Sequence, residues 1–122
     1  MVRRPRNAEA VMIEMDSQDR NVSRPGAFYF VRRAGVSGFA GIIHGCPCGC
    51  GGRSLLYLSG GSTSGRNEHA VVEGEWPKVT LSPSIGIKYD VNGRPGKDGG
   101  YHWHGYLRSG VFVEEPVNPE ET

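Results

Sequence analysis

Long apolar runs are missing from this 122-residue chain. No stretch approaches the roughly 18 consecutive apolar residues that span a bilayer. Three arginines lie near the start, but no apolar segment follows them, so they do not form a secretory signal. We therefore expect no membrane association, and a location inside the cell (a host cytoplasm) or in a virion.

An excess of charge of one sign is also missing. The formal net charge is +1, which gives no overall signal for binding a polyanion. The arginines suggest a basic arm over residues 1–10, and the final glutamates suggest an acidic tail over residues 116–122. Such ends are usually solvated. We expect one domain over residues 11–115 and no nucleic-acid partner.

Sequence suited to long helices is scarce, because the chain holds 19 glycines and 8 prolines. A chain of this length buries about two thirds of its unfolded surface, enough for one modest core. Short runs rich in aromatic and β-branched residues recur between turn signals, as in AFYFVR at residues 27–32. The sequence predicts an all-β or mostly β single domain of seven or eight short strands.

Familiar catalytic motifs are absent as well. There is no His-Glu-x-x-His, no deaminase pattern, no Gly-x-Ser-x-Gly elbow and no phosphate loop. Ser82 and Ser84 flank Pro83 and are typical of a turn. The sequence therefore favours a protein that is not an enzyme. The alternative is a small metal-dependent hydrolase with an open zinc site and His102 or Glu73 as its base.

Cysteine is rare, and all three cysteines lie in HGCPCGCGG at residues 44–52. Cysteines two apart would close strained rings, and a Cys46–Cys50 disulfide would leave one thiol over. A loop shaped by glycine and proline can instead turn its sulfurs towards one point and donate backbone N–H groups to them. The sequence thus predicts a zinc-knuckle-like loop that binds Zn²⁺ through Cys46, Cys48 and Cys50.

Zinc takes four ligands, so an imidazole is expected from elsewhere. His102 and His104 flank Trp103, and residues two apart in a strand share a face. One or both could reach the cysteine loop, with Trp103 packing into the core. His44 and His69 are weaker candidates, and His44 is more typical of a residue that anchors the loop.

Several motifs together resemble a group of small bacterial and phage proteins of unknown function. Some of these proteins are encoded near ubiquitin-like conjugation genes and others lie in phage genomes. The matching residues are Pro25-Gly26, Phe28-Tyr29, the His44–Gly51 loop, Trp76, Thr80-Leu81-Ser82-Pro83-Ser84-Ile85 and Trp103-His104-Gly105 running to Gly110.

The resemblance implies a zinc-binding β domain in which the cysteine loop and the last hairpin share one metal. Cys46, Cys48 and His104 match the ligand positions, but Tyr101 stands where other members often have a cysteine. Cys50 or His102 then completes the site, or the site is open, or no metal binds. The resulting hypothesis is a zinc-stabilised module, phage- or prophage-related, that binds another protein as a host-directed accessory or a particle component.

Overall fold

The computed structural model describes residues 5–13, 23–62, 65 and 67–115. Ten short strands form two sheets, and the only helical element in these ranges is a three-residue 3-10 turn, Lys97–Gly99. The prediction of a small all-β domain is confirmed. Within the described part of the chain, no helix has the length and apolar character needed to cross a bilayer.

The smaller sheet has four antiparallel strands in the order β1-β10-β9-β8. Its strands are β1 (Ala8–Glu9), β8 (Ile85–Ile87), β9 (Trp103–Arg108) and β10 (Val111–Glu114). Residues 8 and 9 thus pair with the last hairpin, although the sequence placed them in a basic arm. Arg3, Arg4 and the acidic tail at residues 116–122 lie outside the described residues.

The larger sheet has six strands in the order β2-β3-β4-β5-β6-β7. Its strands are β2 (Val11–Met12), β3 (Ala27–Val31), β4 (Gly41–Gly45), β5 (Arg53–Leu58), β6 (Glu68–Glu73) and β7 (Thr80–Ser82). Two pairs, β2 with β3 and β5 with β6, are parallel, and the others are antiparallel.

One core lies between the two sheets and takes side chains from both. Strand alternation directs Trp103 inward, as the sequence predicted, and its side chain is fully buried with Phe28, Leu107 and Phe112. Trp76 packs at the edge of this core, with its ring centroid 5.4 Å from that of Phe28. The histidines on either side of Trp103 are therefore left outside the core.

The chain changes sheets at Ser82-Pro83-Ser84. Strand β7 ends at Ser82 in the larger sheet, and β8 begins at Ile85 in the smaller one. Pro83 follows a cis peptide bond. The segment predicted as a turn is thus the joint between the two sheets, and Ser84 lies at that joint.

Arg6 fastens the start of the described chain to the last hairpin. Its Nη2 atom lies 2.7 Å from Glu114 Oε2 and donates to the His102 carbonyl at 2.7 Å. Trp103 Nε1 donates to the Arg6 carbonyl at 2.9 Å. Glu114 is only 4% exposed, so this is a nearly buried ion pair whose hydrogen bonds are satisfied locally. Arg6 thereby ties the backbone of His102 to Glu114 at the end of β10.

Candidate active site and metal centre

The cysteine loop joins β4 to β5 and is closed by its own backbone. Cys46 N donates to Gly52 O at 2.9 Å, and Gly49 N donates to Cys46 O at 3.0 Å. Gly49 and Gly51 have φ values of +85° and +90°, a left-handed conformation that side chains rarely adopt. Gly49, between two cysteines, and Gly51, directly after the last one, therefore allow the turn that brings the sulfurs together.

The three cysteine sulfurs and a ring nitrogen of His102 lie within 4.8 Å of one another. Cys48 Sγ is 2.8 Å from His102 Nε2 and 3.1 Å from Cys46 Sγ. Three thiols and one imidazole are a ligand set of structural zinc sites. This group could hold a metal ion.

Backbone N–H groups point at the sulfurs, as expected for a loop that holds thiolates. Cys50 N donates to Cys48 Sγ at 3.3 Å, and Gly52 N donates to Cys50 Sγ at 3.4 Å. Burial acts to raise the pKa of Cys50, but N–H donors, chiefly that of Gly52, outweigh it and lower the pKa overall. Burial raises the pKa of both Cys46 and Cys48. A bound cation would favour the thiolate form of all three.

His104 is not a member of this group. Its Nε2 atom lies 3.0 Å from Ser84 Oγ, and its Nδ1 atom lies 2.5 Å from Glu115 Oε2. The resemblance had placed His104 with Cys46 and Cys48, so the structure differs from that expectation. The reason is that β9 begins only at Trp103, while His102 lies in a bend before it, where strand alternation does not apply.

The Ser84–His104–Glu115 arrangement follows from the register of three neighbouring strands. Gly86 of β8 pairs with His104 of β9, which places Ser84, two residues earlier, diagonally across on the same face. On the other side Glu115, just after β10, donates its backbone N–H to the His104 carbonyl at 2.9 Å. Hydroxyl, imidazole and carboxylate therefore lie in one line across the outer face of the smaller sheet.

The Ser84–His104–Glu115 arrangement is partly exposed to solvent, and the His104 ring is held by a stacking contact. The side chains of His104 and Glu115 are 33% and 47% exposed. The Tyr101 ring stacks on His104, with centroids 5.3 Å apart and planes 15° from parallel. A Cβ atom at Gly86 would lie 2.5 Å from Tyr101 Cε1, so the missing side chain at Gly86 leaves room for this ring. Tyr101 thus limits the rotation of the His104 imidazole.

The remaining candidates from the sequence lie in neither group. His44 is fully buried in β4, stacks on Phe112 at 4.8 Å, and its Nδ1 atom lies 3.2 Å from Gly45 O. Burial lowers its pKa to about 4, so it is neutral at ordinary pH. His69 of β6 is nearly buried and contacts the backbone of Ser84. Glu73 is exposed on β6.

Sequence reasoning missed Ser84 and Glu115. Ser84 was assigned to a turn, and Glu115, the last residue of the predicted domain, was given no role. The signal that could have found them is the pairing of three strands that are consecutive in the chain: Ser84 directly precedes β8, His104 lies in β9, and Glu115 directly follows β10.

One family model matches most of the chain. The model described as "Bacterial ubiquitination-like system serine protease (BubE)" matches residues 14–114. The chain belongs to the BubE family. The matched residues include Ser84, His104 and the Cys46–His102 group, and they end one residue before Glu115. No curated protein and no solved structure matches the chain significantly. The family description names a serine protease and says nothing of a phage origin.

Proposed function

We propose that this BubE family member is a serine peptidase whose nucleophile is Ser84. The observation that carries the proposal is the pair of contacts made by His104, to Ser84 Oγ at 3.0 Å and to Glu115 Oε2 at 2.5 Å. Serine, histidine and a carboxylate in this order of contact form the triad of serine hydrolases, which is recognised by geometry and not by sequence position. The family description supports the same chemistry.

Each residue has a role that follows from its contacts. His104 Nε2 takes the proton of Ser84 as Oγ attacks the substrate carbonyl and forms a tetrahedral intermediate. His104 gives that proton to the leaving amine as the C–N bond breaks, which leaves an acyl-enzyme. A water molecule, deprotonated by the same imidazole, then attacks the acyl carbon, and Ser84 Oγ leaves with the proton that His104 took from the water. Glu115 accepts a hydrogen bond from Nδ1–H, which sets the tautomer and stabilises the imidazolium that forms.

The metal group has a different task in this proposal. Cys46, Cys48, Cys50 and His102 would hold Zn²⁺ with protein ligands alone, which is typical of a structural site. Bound there, the ion would supply stability to the fold. His102 comes directly before β9, so its attachment to the cysteine loop fixes the start of the strand that carries His104. Hydrolysis is therefore assigned to Ser84 and not to an open zinc site.

The proposed substrate is an extended, exposed segment of a ubiquitin-like protein. The family description places the protease in a ubiquitination-like system. The half-exposed triad on an outer sheet face suits an accessible tail better than a small molecule, which would need an enclosing pocket. The protein partner expected from the sequence is thus retained as a substrate. The phage-related binding module is replaced, because the family description does not support it.

The test is covalent labelling of the full-length protein with a fluorophosphonate, followed by peptide mass spectrometry. We expect one adduct on Ser84 in the wild type and none in Ser84→Ala. Ser82→Ala is a matched control, because Ser82 lies on the other side of Pro83 and is exposed at the end of β7. Equal labelling of wild type and Ser84→Ala would overturn the proposal.

A further inference from the structure

His69 contacts the peptide backbone of the proposed nucleophile, although it belongs to the other sheet. Its Nε2 atom lies 3.0 Å from the Ser84 carbonyl oxygen. A carbonyl can only accept, so Nε2 carries the proton and donates. The imidazole thus ties β6 of the larger sheet to the residue that enters the smaller one.

The backbone pairing explains why a side chain is needed at this point. Strand β6 pairs with β7 through Ala70 and Ser82, so the next position opposite His69 is Pro83. Proline has no N–H group and cannot continue the ladder. The His69 side chain reaches past Pro83 and binds the next carbonyl, that of Ser84.

His69 itself is held firmly. Its backbone pairs with Leu58 in the parallel β5–β6 ladder, and its carbonyl accepts a hydrogen bond from Ser59 N at 3.1 Å. The side chain is 9% exposed. The donor that reaches Ser84 is therefore fixed in position before substrate binds.

The other ring nitrogen of His69 adds no stabilising contact of its own. His69 Nδ1 is buried and has no hydrogen-bond partner among the described residues. A buried acceptor without a partner destabilises a fold, and an apolar side chain of similar size would avoid that cost. The contact that distinguishes an imidazole from an apolar side chain at residue 69 is therefore the hydrogen bond to the Ser84 carbonyl.

We propose that His69 is a positioning residue for the peptidase reaction. By holding the Ser84 carbonyl, it fixes the peptide unit from which the Ser84 side chain projects, and so keeps Oγ within reach of His104 Nε2. It touches neither substrate nor the reacting atoms. This inference rests on the proposed function of Ser84.

The test compares wild type, His69→Leu and His69→Gln in fluorophosphonate labelling of the full chain. Glutamine keeps an N–H donor on a side chain of similar reach, and leucine removes it. We expect His69→Leu to label roughly 10- to 100-fold more slowly, because displacing a reacting group by about 1 Å can cost that much. His69→Gln should recover most of the rate.

The fraction of His69→Leu molecules that is labelled at the end of the reaction distinguishes a positioning role of His69 from a folding defect. Slow labelling of nearly every His69→Leu molecule supports the inference. Wild-type rates in His69→Leu, or wild-type rates in a reduced fraction of molecules, overturn it while leaving the proposed function intact. Failure of the wild type to label at Ser84 overturns both.

Discussion

His102 and His104 are separated by a single residue, yet their imidazoles belong to two different sites. His102 Nε2 lies 2.8 Å from Cys48 Sγ, and His104 Nε2 lies 3.0 Å from Ser84 Oγ. Trp103 between them is fully buried and begins β9. One short segment thus carries both a candidate metal ligand and a candidate catalytic base, with a core residue fixing the spacing.

The first prediction concerns Glu115. In Glu115→Gln the amide cannot stabilise an imidazolium as a carboxylate does, so labelling of Ser84 should slow while the fold is unchanged. We expect a loss of about 10- to 100-fold, below the 10⁴-fold known for a buried triad aspartate, because Glu115 is partly screened by water. The measurement is the rate of fluorophosphonate labelling.

Glu73→Gln is the matched control for that change, because Glu73 is an exposed glutamate on β6. It should label at the wild-type rate. Equal rates for Glu115→Gln and wild type would remove Glu115 from the triad.

The second prediction concerns metal removal. Chelation should release one zinc ion per chain, lower the melting temperature and slow labelling of Ser84, because the start of β9 loses its attachment to the cysteine loop. Cys48→Ser should behave like the chelated wild type. Metal content and the thermal melt are measured on the same samples. A metal-free protein with an unchanged melting temperature would contradict the structural role.

Much of the candidate metal site could be predicted from the sequence, and the proposed triad could not. The cysteine loop is local: its alternating cysteines and glycines already specify a turn that gathers sulfur. Its position next to the last hairpin was also expected. Ser84, His104 and Glu115, in contrast, come from three strand segments, and only the pairing of β8, β9 and β10 brings them together.

The same limit applies to the fold. Short runs of aromatic and β-branched residues predicted the strands, and the two-residue period of a strand predicted an inward Trp103, because each follows from the local chain. The parallel pairs β2–β3 and β5–β6 depend on which distant strands meet, and no local pattern encodes that. Pro83 favoured a turn, which is correct locally, but the turn is a change of sheet that places Ser84 beside His104.

The third prediction concerns Gly86 and Tyr101. In Gly86→Ala the new methyl group would meet the Tyr101 ring, which must move away from His104. We expect slower labelling of Ser84, by several-fold, with little loss of stability, because Tyr101 is an exposed side chain that can shift.

A double-mutant cycle with Tyr101→Ala checks that reasoning. Once the ring is gone, adding Gly86→Ala should change the rate little further. Additive effects of the two substitutions would show that Gly86 acts in some other way.

The fourth prediction is a pH dependence caused by His44. Burial lowers its pKa from 6.5 to about 4, so the unfolded chain binds a proton between these values and the folded chain does not. The contribution of neutral His44 to the free energy of unfolding is therefore fully present above pH 6.5, and it is lost as the pH falls towards 4. The shift corresponds to about 3 kcal/mol at most.

The measurement is the free energy of unfolding in urea from pH 7 to pH 4, for wild type and His44→Phe at equal metal content. Phenylalanine keeps an aromatic ring beside Phe112 but does not titrate. As the pH falls from 6.5 towards 4, the free energy of unfolding of wild type should decrease more than that of His44→Phe. Parallel curves would exclude His44 as the cause.

The separation of the two histidines is the central claim, and metal content measured together with Ser84 labelling in His102→Ala and His104→Ala tests it most directly. We expect His104→Ala to keep one zinc ion per chain and to lose labelling by at least 100-fold. His102→Ala should bind zinc weakly. Loss of zinc from His104→Ala, with zinc binding unchanged in His102→Ala, would contradict the account.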